Sequence, residues 1–125
     1  MIVADPLVYV QGAIQRLMGM GLASDNGSHV AGVYNKAAKA FEGRLKSFAS
    51  EVTGRTDLGR RPLGVVIQSL NEEASAAGDE RLRTIINSAG VANDAWVKLK
   101  HGADPPVDEL LEGLHAMERV LRMLG

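Results

Sequence analysis

The 125-residue chain contains no cysteine, which excludes a disulfide framework, a thiolate nucleophile and a cysteine-ligated zinc, and fits a reducing compartment. Its aromatics are few: two Tyr, two Phe and one Trp. No apolar run approaches the roughly 18 residues of a membrane span. The opening Met1-Ile2-Val3-Ala4-Asp5 lacks the basic region and long apolar stretch of a secretory signal. There is no large excess of either charge, since 14 Lys and Arg stand against 15 Asp and Glu. Non-specific binding to a polyanion, which needs clustered cations, is therefore not this protein's expected business. The expected location is cytoplasmic.

What is present is an ordinary globular composition, 46% apolar and 23% charged, which predicts one domain over residues 1–125. A chain of this size buries on the order of two thirds of the surface that its unfolded form exposes. No stretch alternates apolar and polar residues, whereas five stretches repeat apolar residues every three or four positions, the spacing that lines one side of a helix. The expected fold class is all-α, a single bundle of about five helices.

The first stripe is Leu7, Val10, Ile14, Leu17 and Met18, with Asp5 and Pro6 as a start signal. A turn is expected over Ser24–Ser28. The second stripe, Val30, Tyr34, Ala37, Phe41, Leu45, Phe48 and Val52, is the clearest, and its helix should cross the core. Opposite it, Glu42 and Lys46 are i,i+4 neighbours. Residues 54–62 interrupt the pattern, so 23–28 and 54–61 are the linker candidates. The third stripe, Leu63, Val66, Ile67, Leu70 and Ala74, should stop at Gly78, with Asp79 capping the next helix. The fourth runs Leu82, Ile85, Ala89, Ala92, Trp96 and Leu99 in phase across Gly90, and so predicts one helix with a weak point there. After Asp104, Pro105 and Pro106, the last stripe is Val107, Leu110, Leu114, Met117, Leu121 and Leu124, with acidic residues near its start and arginines near its end. That tidy ending suggests that the domain stops where the chain stops.

Few residues carry chemistry. His29 has no partner in sequence, and His115 falls on a polar stripe with Asp108, Glu112 and Arg119. Asp94, Lys98 and His101 step by four and three, so they share one flank of the fourth helix. No His or carboxylate pair has a recognised metal-ligand spacing, and the adjacent Glu72 and Glu73 point in different directions. No Gly-rich phosphate loop is present either, so no metal and no cofactor is expected. For RNA, the cationic candidates are Arg55, Arg60 and Arg61 in one loop and Lys98 and Lys100 near His101.

The run Ala92-Asn93-Asp94-Ala95-Trp96-Val97-Lys98-Leu99-Lys100-His101-Gly102, followed by a turn and a final apolar helix, resembles the C-terminal half of HEPN domains (higher eukaryote and prokaryote nucleotide-binding) of the abortive-infection type. The likeness covers residues 63–124. It implies a helical domain that dimerises, with a histidine from each subunit at a shared cleft that cuts RNA without metal in active members. His101 matches the family's histidine, and Asn93 the polar residue that follows its arginine. Ala92 stands in the arginine's place, which removes the charge that would stabilise a phosphoryl transition state.

Three readings follow. The first is a non-catalytic, HEPN-like interaction or scaffolding domain that forms a homo-oligomer, a dimer, or holds a protein partner. Its seam would use the apolar surplus of Leu110, Leu111, Val120, Leu121, Met123 and Leu124. The second is a metal-independent ribonuclease of defence or toxin type. In it His101 is acid or base, Asn93 and Asp94 are orienting groups, and the cations grip RNA. The third is a small helical subunit of a larger complex.

Overall fold

The computed structural model describes residues 5–20, 27–103 and 105–124, with residue 20 and residues 27–29 described in backbone only. The expected all-α class is observed: these residues form α1 (Pro6–Met20), α2 (Gly27–Thr53), α3 (Leu63–Ala77), α4 (Glu80–Lys100) and α5 (Val107–Leu124), with a single 3-10 turn at Leu58–Arg60 and no strand. Of the expected turn over 24–28, residues 24–26 lie outside the described residues, and Gly27 and Ser28 already belong to α2. Asp104 also lies outside them.

Local chemistry sets the helix ends. The Leu7 amide donates to the Asp5 carboxylate at 3.0 Å, with Pro6 in the first helical position. Gly78 ends α3 with φ 66°, a left-handed value that a side chain disfavours, and Asp79 then accepts from the Leu82 amide at 3.2 Å to open α4. Helix α4 runs unbroken through Gly90. At the far end of α5, the Met123 carbonyl accepts from Arg81 and the Leu124 carbonyl from Arg44. Two guanidinium groups from other helices thus meet the negative end of this dipole.

One hydrophobic cluster joins all five helices. Helix α5 packs on α4, α1 and α2; α1 lies across α2 and α5; α3 spans α2 and α4. Tyr34, Phe41 and Leu45 of α2 are fully buried, as a helix crossing the core requires. The 54–61 segment is not a slack linker: Leu58 is driven into the core by the 3-10 turn and has no exposed surface.

Two expectations are corrected. Met18 is 65% exposed, and Ala13 takes its place in the α1 stripe. The buried arc runs through Val10, Ala13, Ile14 and Leu17, and Met18 falls about 100° past Leu17 around the helix. The apolar surplus of α5 does not form an outer seam. Leu110, Val120 and Leu121 are buried within the bundle, while Leu111, Met123 and Leu124 pack partly buried against it. Their side chains are consumed by α5's three neighbours.

Candidate functional site

The flank of α4 that carries Asp94, Lys98 and His101 is opened out by α5. Lys98 pairs with Glu109 of α5, whose carboxylate, with a smaller contribution from Asp94, holds the ammonium above its ordinary pKa. Asp94 stays exposed in the groove between α4 and α5. His101 is the exposed C-cap of α4, its amide bonded to the Val97 carbonyl at 3.0 Å. Asn93 is half-buried beside α3, its amide nitrogen 3.9 Å from the place where a Cβ on Gly64 would stand. Eight helical positions separate Asn93 from His101, about 12 Å of rise. The structure therefore does not bring these candidates together within one molecule. The His29 side chain lies outside the described residues.

The cationic candidates are also dispersed. Arg55 and Arg61 both reach Asp57, at 2.8 and 3.1 Å, and Arg55 also donates to the buried Ser69 hydroxyl at 2.6 Å. The two guanidinium groups hold the Asp57 carboxyl well below its usual range, at about 2. Arg60 is exposed on the 3-10 turn. Lys100 folds over the Trp96 ring, 3.7 Å from its centroid, while the indole N–H donates to Asn35 at 3.0 Å. Among the described residues no three His, Asp or Glu gather to hold a metal ion, and no helix is long and apolar enough to cross a membrane.

Of the grooves between the described residues, two are lined by exposed large hydrophobic side chains. Six large hydrophobic side chains are exposed among the described residues: Val8, Tyr9, Met18, Val65, Val91 and Val97. Four of them line two seams between helices. The α1/α2 groove has Val8 (63% exposed) and Tyr9 (50% exposed) on its lip, Gly12, Ala13 and Ala37 on its floor, and Arg16 and Lys36 as its charged residues. Neither cation makes an ion pair among the described residues. A Cβ on Gly12 would meet nothing within 4 Å, so the floor is open. The α4/α5 groove is lined by Val91 and Val97 with Asp94, Lys98, Glu109 and Glu112. Its Lys98 and Glu109 neutralise each other, which leaves the Asp94 and Glu112 carboxylates.

Sequence reasoning missed the first groove, although a signal for it was present. Val8 and Tyr9 make α1 apolar on the side away from its buried stripe, and a helix with apolar residues on both sides needs a second partner. Comparison with protein-family models, curated proteins and solved structures finds no match for this chain.

Proposed function

We propose that this chain is a non-catalytic helical interaction domain that associates with a second copy of itself. The observation that carries this reading is the α1 surface, where Val8 and Tyr9 project into solvent above an open, small-residue floor. Such patches, rimmed by charge, mark contact surfaces. In this reading the likeness of residues 63–124 to HEPN domains is that of a member without the arginine, with Ala92 in its place.

A ribonuclease finds less support. It needs an acid or base, an orienting amide and a cation at one phosphate. Within one copy His101 stands at the exposed end of α4, Asn93 turns toward α3, and two loop arginines are engaged by Asp57.

Light scattering across a concentration series tests the proposal. The expected result is a mass that rises above the monomer, and a paired Val8→Ser and Tyr9→Ser change should return it to the monomer without lowering helicity. A wild-type chain that stays monomeric at the highest attainable concentration overturns the reading.

A further inference from the structure

We propose that the two copies meet head to tail, the α1/α2 groove of one on the α4/α5 groove of the next. This inference rests on the self-association just proposed and adds which surfaces meet. The two grooves are opposite in charge, and both are apolar. Each presents two exposed hydrophobic side chains, Val8 and Tyr9 on one and Val91 and Val97 on the other. The first carries only cations, Arg16 and Lys36, and the second carries two carboxylates, Asp94 and Glu112, beyond its internal Lys98–Glu109 pair.

The same charges argue against like meeting like. A two-fold contact of α1/α2 grooves would set Arg16 and Lys36 against their own copies, and a two-fold contact of α4/α5 grooves would do so for Asp94 and Glu112. Like charges brought together across a desolvated contact weaken it and select against that partner. The grooves share no lining residue and no helix, so one molecule can use both at once. A contact between different surfaces is heterologous, and it extends into a ring if its rotation closes and into a filament if it does not. The assembly is then not limited to the two-fold dimer that the HEPN likeness implies. Added salt should weaken it, since all four charges are carried by side chains exposed in the free chain.

Two full-length variants test this. One carries Arg16→Glu and Lys36→Glu, which damages only the first groove; the other carries Asp94→Asn and Glu112→Gln, which damages only the second. All four side chains are surface groups outside the core cluster, and circular dichroism checks that each variant stays folded. In sedimentation velocity each variant alone should associate about tenfold or more weakly than wild type. Their equimolar mixture should recover a species of two chains and none larger, because each contributes one intact groove. If the Asp94→Asn and Glu112→Gln variant associates as wild type does, the head-to-tail pairing is overturned while self-association stands. If wild type itself never associates, the underlying reading falls first. A mixture that stays monomeric also overturns the pairing.

Discussion

Two glycines mark the extremes of this molecule. At Gly113 of α5, a Cβ would run into the Tyr34 hydroxyl and stand 3.1 Å from two of its ring carbons. At Gly12 of α1, a Cβ would meet nothing. The first glycine lets three helices close: Tyr34 of α2 passes over it and donates to the Ala92 carbonyl of α4 at 2.7 Å. The second leaves an open floor, as the other solvent-facing glycines do. At the junction of α2, α4 and α5 a glycine is filled by a neighbouring side chain, whereas the α1/α2 seam keeps open space beside two exposed hydrophobic residues. On the proposed reading, stability and recognition fall to different parts of one small fold.

The sharpest way to break the comparison is to add one methyl group at each place. Gly113→Ala should cost about 1–3 kcal/mol, as overpacking a filled site does, because Tyr34 has no free space to retreat into without giving up its bond to Ala92. Gly12→Ala lies in a helix interior with open space, and should stabilise by about 0.5–1 kcal/mol through backbone entropy alone. Thermal melts of the two variants should shift in opposite directions. A shift of the same sign would erase the distinction.

Removing only the hydroxyl sharpens the same contrast. Tyr34→Phe should cost about 0.5–1.5 kcal/mol, the net worth of one buried hydrogen bond. The Ala92 carbonyl, being mid-helix, keeps its own ladder partner. Burial pushes the Tyr34 hydroxyl far above its ordinary pKa of 10.0, and Glu109 and Asp94 push in the same direction. A raised folded-state pKa means that the unfolded chain releases the proton first, so this contribution is whole below pH 10.0 and declines as pH rises beyond it. Wild type should therefore lose stability more steeply in alkali than Tyr34→Phe does. Urea midpoints on both sides of that pH would show it, and parallel slopes would exclude Tyr34 as the cause.

The junction and the seam also differ in how far the sequence disclosed them. Helix α2 was legible because its stripe is long and one-sided: Val30, Tyr34, Ala37, Phe41 and Leu45 are all buried as their spacing implies. Helix α1 was legible only in part. Val8, Tyr9 and Met18 give it apolar residues on several sides, and periodicity cannot say which side meets the bundle when more than one is apolar. The role of Gly113 had no sequence signal, since it depends on a tyrosine from another helix. The same holds for the buried Ser69 and Ser88, whose hydroxyls accept from Arg55 and Arg119 on other elements. For the candidate site, Asp94 and Lys98 lie on α4 and His101 caps it, but helix spacing could not show that Glu109 would take Lys98. The apolar residues of α5 suggested a surface because their number was counted without the three helices that cover them.

A smaller effect probes the edge between the two regions. The single tryptophan is nearly buried, its N–H held by Asn35, with the Lys100 ammonium over the face of its ring. Lys100→Ala should cost only about 0.5 kcal/mol, the usual worth of an exposed cation over an aromatic ring. It should change the tryptophan emission clearly, because the charge sits against the only indole. Unchanged emission would mean that Lys100 spends its time in solvent.

The weakest expected effect belongs to the loop between α2 and α3, where Arg55, Asp57 and Arg61 form an exposed cluster while Leu58 beside them is fully buried. Hydrogen bonds from Arg55 and then Arg61 lower the Asp57 pKa from 3.8 to about 2. A lowered folded-state pKa means that the unfolded chain takes up the proton first. The contribution is therefore whole above pH 3.8 and is lost as pH falls toward about 2. Solvent screens so exposed a cluster, so the change should be slight beside that at Gly113. Denaturation midpoints measured through this window should fall less for Asp57→Asn than for wild type. Equal falls would mean that buried Leu58, and not the exposed charge cluster, holds the loop.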